Sequence, residues 1–227
     1  MADLVIFDCD GVLIDSEVIS ARMLIAELAG LGVAVDMAYV ARHFLGRSYP
    51  TVMATIRKDF GLDLPESFEE GYRSRLLAAF ERELRIMPHV RQVLESLGLP
   101  YCVATSSSPR RAEKSLRLVG LEGLVQGRVF TASEVARGKP APDLFLHAAA
   151  RMGADPARCL VIEDSLTGVR AGLAAGMEVW RFTGGSHLQG MPLESPEDAR
   201  PQRVFDSFAQ FFQIAPETTG QPMTLLP

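Results

Sequence analysis

The sequence predicts an α/β fold, in which a parallel sheet is covered by helices on both faces and a second, all-helical domain is inserted after the first strand. Three observations predict it. Short apolar runs alternate with amphipathic segments along most of the 227 residues, the pattern of a parallel sheet joined by crossover helices. The runs are continuously apolar, as strands buried on both faces must be. The alternation breaks once, between about residues 16 and 85, where helical patterns follow one another with no strand between them.

Residues 4–9 (LVIFDC) form the first expected strand. Ser16 and Glu17 open a helix whose pattern, ARMLIAELAGLG, runs out at Gly30 and Gly32. Further helical patterns follow in MAYVARHFLG, in YPTVMATIRKDFG and in a charged segment over 66–84, punctuated by Gly46, Gly61 and Pro65. Four ordinary crossover helices within one domain would be the alternative, but crossovers this long are rare, so the stretch reads as an inserted domain. Pro88 marks the return to alternation. Strands are expected at 101–105, 128–130, 159–163 and 178–182, with helices at 90–97, 110–119, 142–152 and 167–175. FDSFAQFFQIA, ending at residue 215, reads as a last packing helix. The domain reading is residues 1–15 and 86–215 for the α/β core, 16–85 for the helical insertion, and 216–227 for a frayed tail.

Composition bounds the function. Acidic residues outnumber basic ones, 28 to 23, for a net charge of −5. A protein that lives on nucleic acid usually carries the opposite sign, so no nucleic-acid partner is expected. No stretch approaches a membrane span, and the start MADLVIFDCD does not read as a signal peptide. Cys9, Cys102 and Cys159 each sit in an apolar run, without paired spacing. They read as buried thiols of a cytoplasmic protein. No interface signal stands out, and a monomer or weak homodimer is expected.

In open parallel sheets ligands bind beyond the carboxyl ends of the strands. The first strand ends in DCDG, with Asp8 and Asp10 two residues apart and on the same side of an extended chain. Carboxylates this close call for a cation or a shared proton. The second ends in Thr105, followed by Ser106, Ser107, Ser108 and a helix start at Pro109, a hydroxyl-rich anion site. Thr105 reads as functional, and Ser107 and Ser108 as helix caps. A loop carries GKPAPD, whose Lys139 is the only lysine after Lys114. A later strand ends in Glu163, Asp164 and Ser165. Carboxylates converging on one rim make a hard-oxygen site suited to magnesium, and none of the four histidines has metal-ligand spacing.

FDCDGVLIDSE, VATSSS, GKPAPD and VIEDSLTGVRAGLAAGM resemble, in order, the four motifs of the haloacid dehalogenase superfamily, close to its phosphatase and β-phosphoglucomutase-like members. The resemblance implies a Rossmann-like core with a mobile helical cap. It implies Asp8 as nucleophile and Asp10 as general acid and then general base. Thr105, Ser106 and Lys139 would hold the transferring phosphoryl group. Magnesium would be bound by Asp8, Asp164 and the backbone carbonyl of Asp10, with Glu163 in or beside its coordination shell. Magnesium and Lys139 would remove the repulsion between a carboxylate and a phosphate, and a covalent aspartyl-phosphate divides hydrolysis into two easier steps. A desolvated site under the cap would favour a protonated Asp10.

The carbon–halogen hydrolases of this superfamily lack a carboxylate at the position of Asp10, so its presence points to phosphate esters. The mutase alternative is weakened in the cap, where Ser20 and Tyr49 stand at positions that β-phosphoglucomutase fills with histidine and arginine. Glu17, Ser20 and Arg47 are the expected cap contacts to substrate. The expected substrate is a small phosphorylated metabolite, a sugar phosphate or phosphorylated sugar acid.

Overall fold

The computed structural model describes residues 2–44, 46–62, 64 and 66–218. Six strands form one parallel sheet: β1 (Leu4–Phe7), β2 (Tyr101–Thr105), β3 (Val129–Thr131), β4 (Cys159–Glu163), β5 (Glu178–Phe182) and β6 (Arg203–Phe205). Their spatial order is β3-β2-β1-β4-β5-β6. Between β1 and β2 lie α1 (Glu17–Gly30), α2 (Met37–His43), α3 (Tyr49–Phe60), α4 (Glu66–Glu83) and α5 (Val90–Ser96). The shorter crossovers hold α6 (Pro109–Leu118) and α7 (Glu122–Val125), then α8 (Asp143–Arg151), then α9 (Leu166–Ala174). The helix α10 (Phe211–Ile214) follows β6.

Side chains alternate across the sheet. Val5, Phe7, Val103, Leu160, Ile162 and Phe182 join the core that runs into α1, α3 and α4. Leu4, Ile6, Cys102, Ala104, Val161 and Val179 join the opposite core, against Leu144 and Phe145 of α8 and Val169 of α9. Every residue of β1, β2 and β4 is therefore buried whichever way it points, so the runs show no polar alternation. All three cysteines are buried free thiols.

Three details depart from the sequence reading. The first strand ends at Phe7, because the carbonyl of Cys9 turns back to accept the N–H groups of Leu13 and Ile14. The strand β6 carried no readable signal: it is three residues long and exposes Arg203 and Val204. The expected helix over 205–215 is broken up. Phe205 belongs to β6, and Phe208 and Phe211 pack with Phe7 and Phe182 through a short 3-10 turn and α10.

Residues Pro216–Thr218 form a 3-10 turn. The Thr218 carbonyl accepts the Gly98 N–H at 2.9 Å, and its side chain is buried. Pro65 and residues 219–227 lie outside the described residues. Among the described residues, no helix is long and apolar enough to cross a membrane.

Candidate active site

The order of the strands reverses on either side of β1, so β1 lies between β2 and β4 and its carboxyl end opens onto a crevice. Three strand ends meet there. Asp8 leaves β1, Thr105 closes β2, and Glu163 closes β4 with Asp164 next in the chain. All four side chains are buried.

Lys139, on the loop between β3 and α8, reaches into this junction. Its Nζ donates to Asp8 Oδ1 at 2.6 Å, to Glu163 Oε1 at 2.7 Å and to the Ala104 carbonyl at 3.1 Å. The side chain is 1% exposed and its ammonium lies 4.7 Å from the Phe145 ring centroid. Burial opposes the charge on Lys139, but Asp8 and Glu163 more than offset this and hold the lysine protonated.

Ligand oxygens of Asp8, Glu163 and Asp164 lie within 4.8 Å of one another. Burial pushes the Asp8 carboxyl well above the usual carboxylate range, with Lys139 opposing that rise. Burial does the same to Asp164, and the charge of Glu163 adds to it. With Asp10, four carboxylates are buried at this rim, while Lys139 and Arg111 are the cations paired with them. An all-oxygen set with negative charge left over fits a hard divalent cation such as magnesium. Asp8 and Asp164 are the better-placed holders, because both Glu163 oxygens already have protein partners: Lys139 on one, and the Ser165 N–H and hydroxyl at 2.8 and 3.0 Å on the other.

Gly11 lets the chain pass this cluster. It has φ +81°, and a Cβ there would lie 2.2 Å from Asp164 Oδ2. The same Oδ2 of Asp164 lies 2.8 Å from His187 Nε2, and Arg181 Nε donates to the Asp164 carbonyl at 3.0 Å.

Asp10 does not share the partners of Asp8. Its Oδ1 accepts from Ser16 Oγ at 2.6 Å and Arg111 Nη2 at 2.7 Å, and its Oδ2 accepts from Ser107 Oγ at 2.6 Å. Thr105 Oγ1 is 3.4 Å from Oδ2. Burial pushes the Asp10 carboxyl up, but Arg111 and the Ser107 and Ser16 hydroxyls outweigh it and hold the group below the usual range. The sequence reading counts on desolvation to favour a protonated Asp10; the cation and hydroxyl donors around the carboxyl act the other way.

Other expected residues fall into place unevenly. A cleft of about 850 Å³ lies between α1, α3 and α4 and the strand ends and is lined by Asp8, Asp10, Glu17, Ser20, Thr105 and Ser106, with Arg47 at an exposed position on its wall. Ser106 turns its hydroxyl to the Gly46 carbonyl at 3.2 Å, bridging core and insertion. Glu17 is buried, and desolvation followed by repulsion from Asp10 pushes its carboxyl up to about 7. Ser20 accepts a hydrogen bond from Arg111 at 3.1 Å. Tyr49 stacks on Tyr72, with Arg73 over its ring at 4.8 Å.

Four residues at the site escaped the sequence reading. Ser107, read as a cap, and Ser16, read as a helix start, both donate to Asp10; neither Ser16 nor Ser108 caps its helix through its side chain. Arg111 was hidden among the charges of an amphipathic helix. His187 follows β5, and the rule that ligands gather past strand ends was the one signal that could have found it.

Comparison with known proteins shows the family. The family model for haloacid dehalogenase-like hydrolases matches residues 2–176. The chain is 28% identical over 186 residues to 6-phosphogluconate phosphatase of Escherichia coli (strain K12), covering 82% of this chain and 84% of that one. It is 32% identical over 186 residues to hexitol phosphatase A of the same organism, covering 77% and 80%. A solved hydrolase of this family from Deinococcus radiodurans R1, with bound phosphate and sodium, superposes with a TM-score of 0.72 at 33% identity, covering 96% of each chain.

Proposed function

The chain belongs to the haloacid dehalogenase-like hydrolases, and from that membership we propose that it removes phosphate from a small phosphorylated sugar or sugar acid through a transient phosphoryl ester on Asp8. It is a phosphoric monoester hydrolase, as its phosphatase-named relatives are. The observation that carries the finer reading is the Lys139 ammonium shared between Asp8 and Glu163 at 2.6 and 2.7 Å. A buried carboxylate held beside a fixed cation can approach an anionic phosphorus that would otherwise repel it.

In this reading an Asp8 oxygen attacks phosphorus and forms the acyl-phosphate bond as the bond to the leaving oxygen breaks. That oxygen departs as an alcohol with a proton from Asp10. Asp10 then takes a proton from water, whose oxygen attacks phosphorus and releases inorganic phosphate and free Asp8. With Arg111, Ser107 and Ser16 on its carboxylate, Asp10 is set for the base half of this cycle. The acid half requires Arg111 and Asp10 to part as the ester enters. Thr105 and Ser106 line the cleft where the phosphoryl oxygens would lie. Magnesium, held by Asp8, Asp164 and the Asp10 carbonyl, would supply further neutralisation of phosphoryl charge. The helices α1 to α4 act as the cap that excludes water.

The test is magnesium-dependent phosphate release from a panel of sugar and sugar-acid phosphates by the wild type and Asp8→Asn, with acid quenching of a reaction on a phosphorus-labelled ester. Label is expected on Asp8, and no release from the variant. Full activity in Asp8→Asn, or label on another residue, sinks the mechanism. Free phosphate as the main product also separates this reading from a mutase.

A further inference from the structure

We infer that Arg111 is a substrate-recognition residue that binds a carboxylate on the leaving portion of the ester, so that the preferred substrate is a sugar-acid phosphate. The inference rests on the proposed phosphatase reading, because the role of Asp10 defines the leaving-group side of the cleft.

Arg111 sits in the first turn of α6 and lines the cleft. Its Nη2 is 2.7 Å from Asp10 Oδ1, so any group attached to the leaving oxygen must pass close to the guanidinium. Nη2 also donates to Ser20 of α1 at 3.1 Å, and the guanidinium lies 5.3 Å from the centroid of Phe80 in α4. It thus stands where core and insertion meet, between the reacting end of the cleft and the cap.

The guanidinium is under-used as it stands. Its Nε is buried and has no hydrogen-bond partner among the described residues. Leaving such a donor unpaired is costly, and such cases call for an explanation. Nε and Nη2 form one edge of the planar fork, which matches a bidentate carboxylate or phosphate. An arriving carboxylate can pair with Nε and share or take Nη2, drawing Arg111 away from Asp10. The cleft wall mixes acids (Glu17, Glu69, Glu70) with bases (Arg47, Arg73, Arg110), but the charges acting most strongly on Arg111 are those of Asp10 and Glu17, and beside these a singly charged carboxylate meets less repulsion than a second phosphate dianion.

The competing account is a latch, in which Arg111 merely ties insertion to core. Gluconate 6-phosphate and sorbitol 6-phosphate separate the two, since they share chain length and the transferable phosphate and differ in a terminal carboxylate. Their binding is measured by calorimetry in magnesium, using Asp8→Asn alone and combined with Arg111→Gln or Arg111→Lys. With Gln the affinity for gluconate 6-phosphate is expected to fall about 30-fold, and that for sorbitol 6-phosphate by less than about threefold. Lys should recover part of the loss. Equal loss for both esters, no loss for either, or no binding of either to Asp8→Asn overturns the assignment. Phosphate release by the wild type is read separately: the expected binding pattern with no release supports Arg111 as the carboxylate site and refutes the hydrolase reading instead.

Discussion

Replacing Lys139 by methionine keeps the length of the side chain and removes the ammonium that Asp8 and Glu163 share at 2.6 and 2.7 Å. Both carboxylates stay buried, with side-chain exposures of 7% and 1%. Breaking a buried pair by deleting one partner costs about 3–5 kcal/mol, because a charge is left uncompensated. In a chain of this size that corresponds to a fall of roughly 10 °C in the unfolding midpoint. Urea and thermal unfolding in a chelator, at neutral pH, measure it.

The dependence on pH gives a second check. Lys139 is the foremost influence that lowers the Asp8 carboxyl, which burial already raises well above its ordinary 3.8. Without the lysine, folded Asp8 holds its proton to still higher pH, while the unfolded chain has released it. A folded state that binds more protons than the unfolded one loses stability as pH rises. In the wild type the raised Lys139 contributes stability that is fully present below the ordinary lysine value of 10.5 and is lost only at higher pH, so that contribution is flat near neutrality. The deficit of Lys139→Met should therefore widen as pH rises above the ordinary carboxylate range. A deficit under about 1 kcal/mol at neutral pH, or one that narrows as pH rises, would refute the reasoning.

The same physics sets further expectations. Glu17, raised from 4.5 to about 7, makes the folded protein lose stability as pH climbs between those values, by about 3 kcal/mol at most; Glu17→Gln should flatten that slope, and an unchanged profile in denaturant titrations across pH would count against the burial argument. Gly11→Ala places a Cβ 2.2 Å from Asp164 Oδ2 at a φ of +81°, so the magnesium concentration for half-maximal phosphate release should rise about tenfold or more; an unaltered requirement would show that Asp164 does not hold the ion. Ser107→Ala removes a hydroxyl that holds the Asp10 carboxyl down, so the acid limb of the kcat/KM profile should move to higher pH, and a shift the other way would mean that another group governs that limb.

Several catalytic candidates were legible in the sequence because each follows an unmistakable apolar run. Asp8, Thr105, Glu163 and Asp164 end or follow strands whose period leaves no freedom about where the chain emerges, and parallel pairing of β1 with β2 and β4 then brings those ends together. Lys139 was legible through its motif alone; that it bridges Asp8 and Glu163 comes from the path of a loop 131 residues further along the chain. The pairing of Asp10 was not legible. Two residues apart, the acids were expected to face one problem together, but the turn after Phe7 sends Asp10 to Ser16, Ser107 and Arg111. Arg111 comes from a helix 101 residues away, and His187 reaches Asp164 from the loop after β5.

By itself the sequence determined the order of the first five strands, the run of helices between the first two, and which acids and hydroxyls stand at strand ends, because those follow from local periodicity. Only the tertiary structure decided which charge meets which. Pairing in a buried site depends on helix rotation, loop path and the close approach that Gly11 permits, and these are settled by packing among distant segments. That is why the chemistry at Asp8 could be read early, while the charge state of Asp10 and the unpaired donor of Arg111 emerged only once the chain was folded.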